Sequence, residues 1–117
     1  MSKFALVVRE DLSSEIIDIE GQELKKLQEV VDGLIEAVQV KPNITMWVNE
    51  EGLFRGDLGR NHFGSTVLSI LAGVEALVRG DIVFTAGPNA EGETLGLTDK
   101  EMKEITFLAK QAKEAIS

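Results

Sequence analysis

Apolar residues that alternate along short runs, broken by polar turns and by stretches of helical spacing, predict an α+β domain. The expected architecture is a small, mainly antiparallel sheet with about three helices, in the order ββαββ and then αβα. Three observations carry it. Phe4 to Val8 is short, apolar and rich in β-branched residues. Lys41-Pro42-Asn43 separates two further apolar runs and has the residue types of a hairpin turn. Thr98 and Glu101 stand three apart ahead of a long apolar stripe, as in a capping box.

Taken in order, Phe4, Leu6 and Val8 alternate with Ala5, Val7 and Arg9, which argues a first strand. Glu10 to Ser14 is a polar turn. Glu15 to Glu20 resumes the alternation, with Ile17 and Ile19 on one face and Ile16 and Asp18 on the other, completing a hairpin. After Gly21, Leu24, Leu27, Val30 and Val31 form one face of a short helix, with Gly33 placed as its left-handed C-cap. Leu34 to Val40 and Ile44 to Asn49 read as the third and fourth strands, followed by a turn at Glu50-Glu51-Gly52. Leu53 to Arg60 reads as an exposed loop with a short extended piece at Leu53-Phe54.

Asn61 is placed to N-cap a second helix over about Phe63 to Ala72, with Phe63, Val67, Leu68, Ile70, Leu71 and Val74 at helical spacing. Its period could run on through Leu77 and Val78 to Gly80. The stretch from Leu77 to Phe84 reads equally as extended chain with a glycine bulge, which is the reading favoured here because Gly73 interrupts the helical period. Gly87 to Gly96 is loop. In the last helix, Thr98 and Glu101 form the cap and Leu97 with Met102 the hydrophobic staple. Met102, Ile105, Leu108, Ala109 and Ala112, continuing to Ile116, form the face expected against the sheet.

The chain has 117 residues, 44% hydrophobic and 27% charged, enough for one domain over residues 1–117 with its own core. Net charge is −8 and both halves are acidic, which argues against direct nucleic-acid binding driven by counterion release. No apolar run approaches the ~20 residues of a membrane span. Ser2-Lys3 leads directly into a strand rather than into a signal peptide, and cytoplasmic residence is the default expectation. There is no cysteine, so neither a disulfide framework nor a thiol nucleophile is available.

Several short strings imitate functional motifs. Gly87 to Thr94 has the glycine spacing of a phosphate-binding loop, but Glu93 stands where that loop needs a lysine. Arg79-Gly80-Asp81 matches an adhesion tripeptide and reads here as a structural turn or bulge. Asn43-Ile44-Thr45 is formally a glycosylation acceptor that would require secretion. His62 is the one imidazole, with no thiolate to share a zinc ion and with Ser65 and Ser69 on its own helix, a poor geometry for a triad. Glu91, Glu93 and Asp99 do not have the spacing of a calcium loop. Trp47, on the opposite strand face from Met46 and Val48, is expected in the core. Neither a metal ion, a nucleotide nor another cofactor is expected to bind.

Taken together, several segments resemble a family. They are Ile19-Glu20-Gly21 with Leu24, Leu27-Gln28, Val31-Asp32-Gly33 and Ile35 to Val38; Trp47 to Gly52, followed by Asn61; and Gly80 to Pro88 with Glu91 to Asp99. This order is similar to a family of small proteins of unknown function from bacteria, bacteriophages and mobile elements. Its pattern is an N-terminal hairpin, a helix–strand unit and an Asn-Glu-Glu-Gly turn. Val31-Asp32-Gly33 departs from it where paired glycines are usual. The resemblance implies an accessory protein and supplies no catalytic residue.

Three functions stand open: a non-enzymatic binding or accessory protein of phage or mobile-element origin; an acidic nucleic-acid-mimicking inhibitor of a host defence or DNA-handling enzyme; and a carboxylate-based enzyme. The first is favoured, with a protein as partner. Its expected interaction surface is Asn49, Glu50, Glu51, Gly52, Arg55, Arg60 and Asn61, in and beside a long irregular loop. The oligomeric state is left open.

Overall fold

Two hairpins and one late strand build the sheet. In the computed structural model, residues 2–73 and 75–116 are described, the side chains of 71, 72, 115 and 116 excepted. Strands β1 (Phe4–Val8) and β2 (Ser14–Asp18) pair antiparallel, as do β3 (Ile35–Lys41) and β4 (Ile44–Asn49). Strand β5 (Ile82–Ala86) enters between the hairpins, antiparallel to both β1 and β4, giving the order β2-β1-β5-β4-β3. Every residue of β5 is buried, as expected of a central strand covered on both faces.

The pleat sends alternate side chains to two cores. Leu6, Val8, Met46, Val48, Ile82 and Phe84 face helices α2 (His62–Ala72) and α3 (Asp99–Ile116), where Phe63 and Phe84 stack at a tilt with ring centroids 5.7 Å apart. Ala5, Val7, Ile19 and Val83 face helix α1 (Glu23–Val31), which contributes Leu27. Trp47 packs on this second core, opposite in direction to Met46 and Val48, and its Nε1 donates to Thr85 Oγ1 at 2.9 Å. The close seat of α2 on β5 and the segment before it favours a glycine, because a Cβ on Gly64 would lie 2.9 Å from Val78 Cγ1 and 3.0 Å from Ile82 Cδ1.

The ends of α3 and α2 are set as their sequences suggest. Thr98 N donates to Glu101 Oε1 and Glu101 N to Thr98 Oγ1, closing the capping box, while Leu97 and Met102 are both buried. Asn61 caps α2 by accepting from Gly64 N.

Other expectations are corrected. The left-handed residue after α1 is Asp32 (φ 61°), not Gly33, an arrangement that short polar side chains tolerate. Gly52–Phe54 is a 3₁₀ turn rather than an extended piece. Residues 75–79 are irregular; α2 stops at Gly73 in the left-handed region, and the strand begins only at Ile82, after Gly80 turns at φ +88°. Leu24, assigned to the buried face of α1, is exposed, and so is Ile70 of α2. Leu108 is 48% exposed, because the buried stripe of α3 runs through Met102, Ile105 and Ala109, and Leu108 sits on its flank over the gap towards α2. Val74 and the side chains of Leu71 and Ile116, also assigned to apolar faces, lie outside what is described.

Candidate functional site

The segment joining β4 to α2 is irregular in form but held at many points. Asn49 ends β4 and is buried. Its Nδ2 donates to the carbonyls of Val31 (2.9 Å) and Asp32 (3.2 Å), and its Oδ1 accepts from Glu51 N at 2.7 Å. One amide therefore satisfies the end of α1 and shapes the following turn. Gly52 is buried at the start of the 3₁₀ turn, and Arg55 follows it. The Arg55 guanidinium reaches Asp57 Oδ2 at 2.7 Å, Asp32 Oδ2 at 2.8 Å and the Asp32 carbonyl at 2.9 Å. Hydrogen bonding to Arg55 pulls the Asp57 carboxyl down to about 2, and its two carboxylate partners raise Arg55 in turn.

Asn61 is the other fixed end. It is 0% exposed, and its Nδ2 donates to the carbonyls of Val8 and Gly80, both at 3.0 Å. Buried amides left unpaired are costly, and Asn61 is fully paired. Arg60 is exposed and pairs through its backbone region with Arg79. Of the seven residues expected at the surface, Glu50, Glu51 and Arg60 are thus exposed and Arg55 is half-buried. Asn49, Gly52 and Asn61 lie beneath them as supports.

On this frame stand two apolar side chains that the sequence reading does not single out. Phe54 is 88% exposed and Leu53 is 64% exposed. Their signal in the sequence is a pair of large apolar residues between Gly52 and Gly56, where a loop would otherwise be polar. Leu53, though not Phe54, lines a cleft of about 130 Å³ walled also by Val38, Val48, Leu68 and Leu77, with Glu36, Glu50 and Arg79 also lining it. Its volume is comparable to an engineered cavity of about 150 Å³ that holds benzene.

The imitation motifs resolve into structure. Arg79 Nη1 donates to the Arg55 carbonyl, Gly80 is buried, and Asp81 binds Arg9 and the Glu10 N–H. His62 is exposed at the first turn of α2, while Ser65 is buried and bonded to the backbone of Val78. Glu93 lies in a loop closed by Asn89, whose Oδ1 accepts from the N–H groups of Glu91 and Glu93. Among the described residues, no group of three His, Cys, Asp or Glu could hold a metal ion. None of their helices is long and apolar enough to cross a membrane. The carboxyl groups with shifted pKa values, Asp11, Asp18, Glu23 and Asp57, are all lowered by hydrogen bonds, the opposite of what a general acid needs.

This architecture defines an α+β domain with one five-stranded antiparallel sheet covered by helices on both faces. Over residues 1–110 the chain matches, and belongs to, the family described as Domain of unknown function (DUF3846). No curated protein and no solved structure gives a significant match.

Proposed function

We propose that this chain is a non-enzymatic protein-binding accessory module, of phage or mobile-element origin, and that it holds its partner with the segment from Asn49 to Asn61. The observation that carries the reading is the exposure of Phe54 and Leu53 on a turn pinned from both sides. Exposed aromatic residues on preorganised backbone are what binding hot spots are made of, because little conformational freedom remains to be lost on association. Glu50, Glu51, Arg55 and Arg60 supply the polar rim. The mobile-element origin rests on the resemblance of the sequence pattern, and a protein partner rests on the acidic surface together with the apolar turn.

The test is affinity capture from a lysate of the organism that carries the gene, run in parallel with the wild type, Phe54→Ala and Leu108→Ala. A protein retained by the wild type and by Leu108→Ala, and released by Phe54→Ala, supports the reading. A hot-spot phenylalanine is worth at least about 2 kcal/mol, so the loss should be close to complete at limiting bait. Undiminished retention by Phe54→Ala overturns it, as does the absence of any retained protein. Retention of nucleic-acid-handling enzymes irrespective of Phe54 would instead favour a mimic acting through the acidic surface.

A further inference from the structure

We infer that the cleft lined by Leu53 is a socket for one long cationic side chain, an arginine or lysine, projecting from the partner. This deepens, and rests on, the protein-binding reading above. The walls are aliphatic: Val48, Leu53 and Leu68 face a space of about 130 Å³, large enough for the stem of such a side chain. The charges at the cleft are anionic in excess. Glu36 lies opposite Val48 in the β3–β4 register, and Glu50 N donates to the Leu34 carbonyl. Both glutamates line the cleft, Glu36 from β3 and Glu50 from the turn that follows β4.

Among the described residues, neither Glu36 nor Glu50 makes an ion pair. The cation that also lines the cleft, Arg79, turns its Nη1 to the Arg55 carbonyl at 3.2 Å instead of to a carboxylate. Arg55, in the same segment, is held by Asp32 and Asp57. A neutral apolar side chain would fill the cleft but leave both glutamates unused. An acidic one would meet like charge on a protein whose net charge is −8. A lysine or arginine satisfies both features, its methylenes on the walls and its head group between the carboxylates.

The test uses small probes, n-butylguanidinium and its neutral analogue n-butylurea, titrated into the protein while methyl NMR signals are followed. The expected result is saturable shifts at the methyls of Val48, Leu53 and Leu68, with n-butylguanidinium bound about 1.5- to fivefold tighter, the range open to solvent-exposed ion pairs. Glu36→Gln with Glu50→Gln should equalise the two probes. Glu20→Gln with Glu91→Gln makes the same change in net charge away from the cleft and should preserve the preference. Equal binding of the two probes by the wild type, shifts centred elsewhere, or no shifts overturn the socket. That failure leaves the protein-binding reading intact, because the Phe54 comparison needs no cation. Loss of the Phe54 effect would leave the probe result standing as a property of the cleft alone.

Discussion

The amide of Asn49 lies directly over Gly33: a Cβ built on Gly33 would sit 2.8 Å from Asn49 Nδ2. The glycine is there to admit the amide, which in turn binds the carbonyls that end α1. Gly33→Ala should therefore destabilise the fold, and Asn49→Ala should cost about 1–3 kcal/mol by taking the amide donor from the buried Val31 carbonyl. The double variant should be more stable than the sum of the two effects predicts, since removing the amide removes the clash. Urea denaturation of all four proteins checks this; strict additivity would show that the two residues act separately.

Helix α3 offers a contrast between neighbouring residues. Ile105→Ala should cost about 2–5 kcal/mol, because it opens a cavity between helix and sheet. Leu108→Ala, at a half-exposed flank, should cost only about 1 kcal/mol, roughly half the transfer gain of a buried leucine. Thermal melts of the pair decide it, and similar losses would mean that Leu108 is covered in solution.

At the start of the same helix, Thr98→Ala should remove about 1 kcal/mol with the hydrogen bond to Glu101 N. Thr98→Ser, which keeps the oxygen, should recover most of it. Equal losses for the two variants would place the contribution of Thr98 in its methyl group.

Acid should loosen the segment around Arg55 and Asp57 before it unfolds the sheet. Asp57 titrates at about 2 in the folded chain against an ordinary value of 3.8, so its pairing with Arg55 favours the fold fully above pH 4. That contribution is lost as pH falls through 4 towards 2. Asp57→Asn should weaken the dependence of loop order on pH in this window, read from amide hydrogen exchange at residues 52–58. Identical profiles for the two proteins would assign the acid response to Asp11, Asp18 and Glu23, which are lowered as well.

Much of this fold is legible wherever the cue is local. The Lys41-Pro42-Asn43 turn, the Thr98–Glu101 box and the Asn61 cap each depend on residues a few positions apart, and each occurs as its sequence implies. Burial is different, because it depends on which neighbour arrives. Leu24, Ile70 and Leu108 follow helical spacing yet stay exposed, since nothing packs over their flanks. The site shows the same division. Asn49 and Asn61 are recognisable as polar residues at loop ends, but their burial depends on the end of α1 and on the return of the chain at Val8 and Gly80. The cleft joins β3, β4, α2 and Leu77, and no local pattern encodes that meeting.

Placing β5 at the centre of the sheet has a consequence for synthesis on the ribosome. The two hairpins are each made of nearby sequence and can form as they emerge, but their inner edges, on β1 and β4, stay open until Ile82–Ala86 leaves the exit tunnel. Between the emergence of β4 and that of β5 the nascent chain carries two unpaired, apolar strand edges, the kind of surface on which chains associate wrongly. Acidic residues outnumber basic ones in that part of the sequence too, and like charge on such intermediates opposes their association.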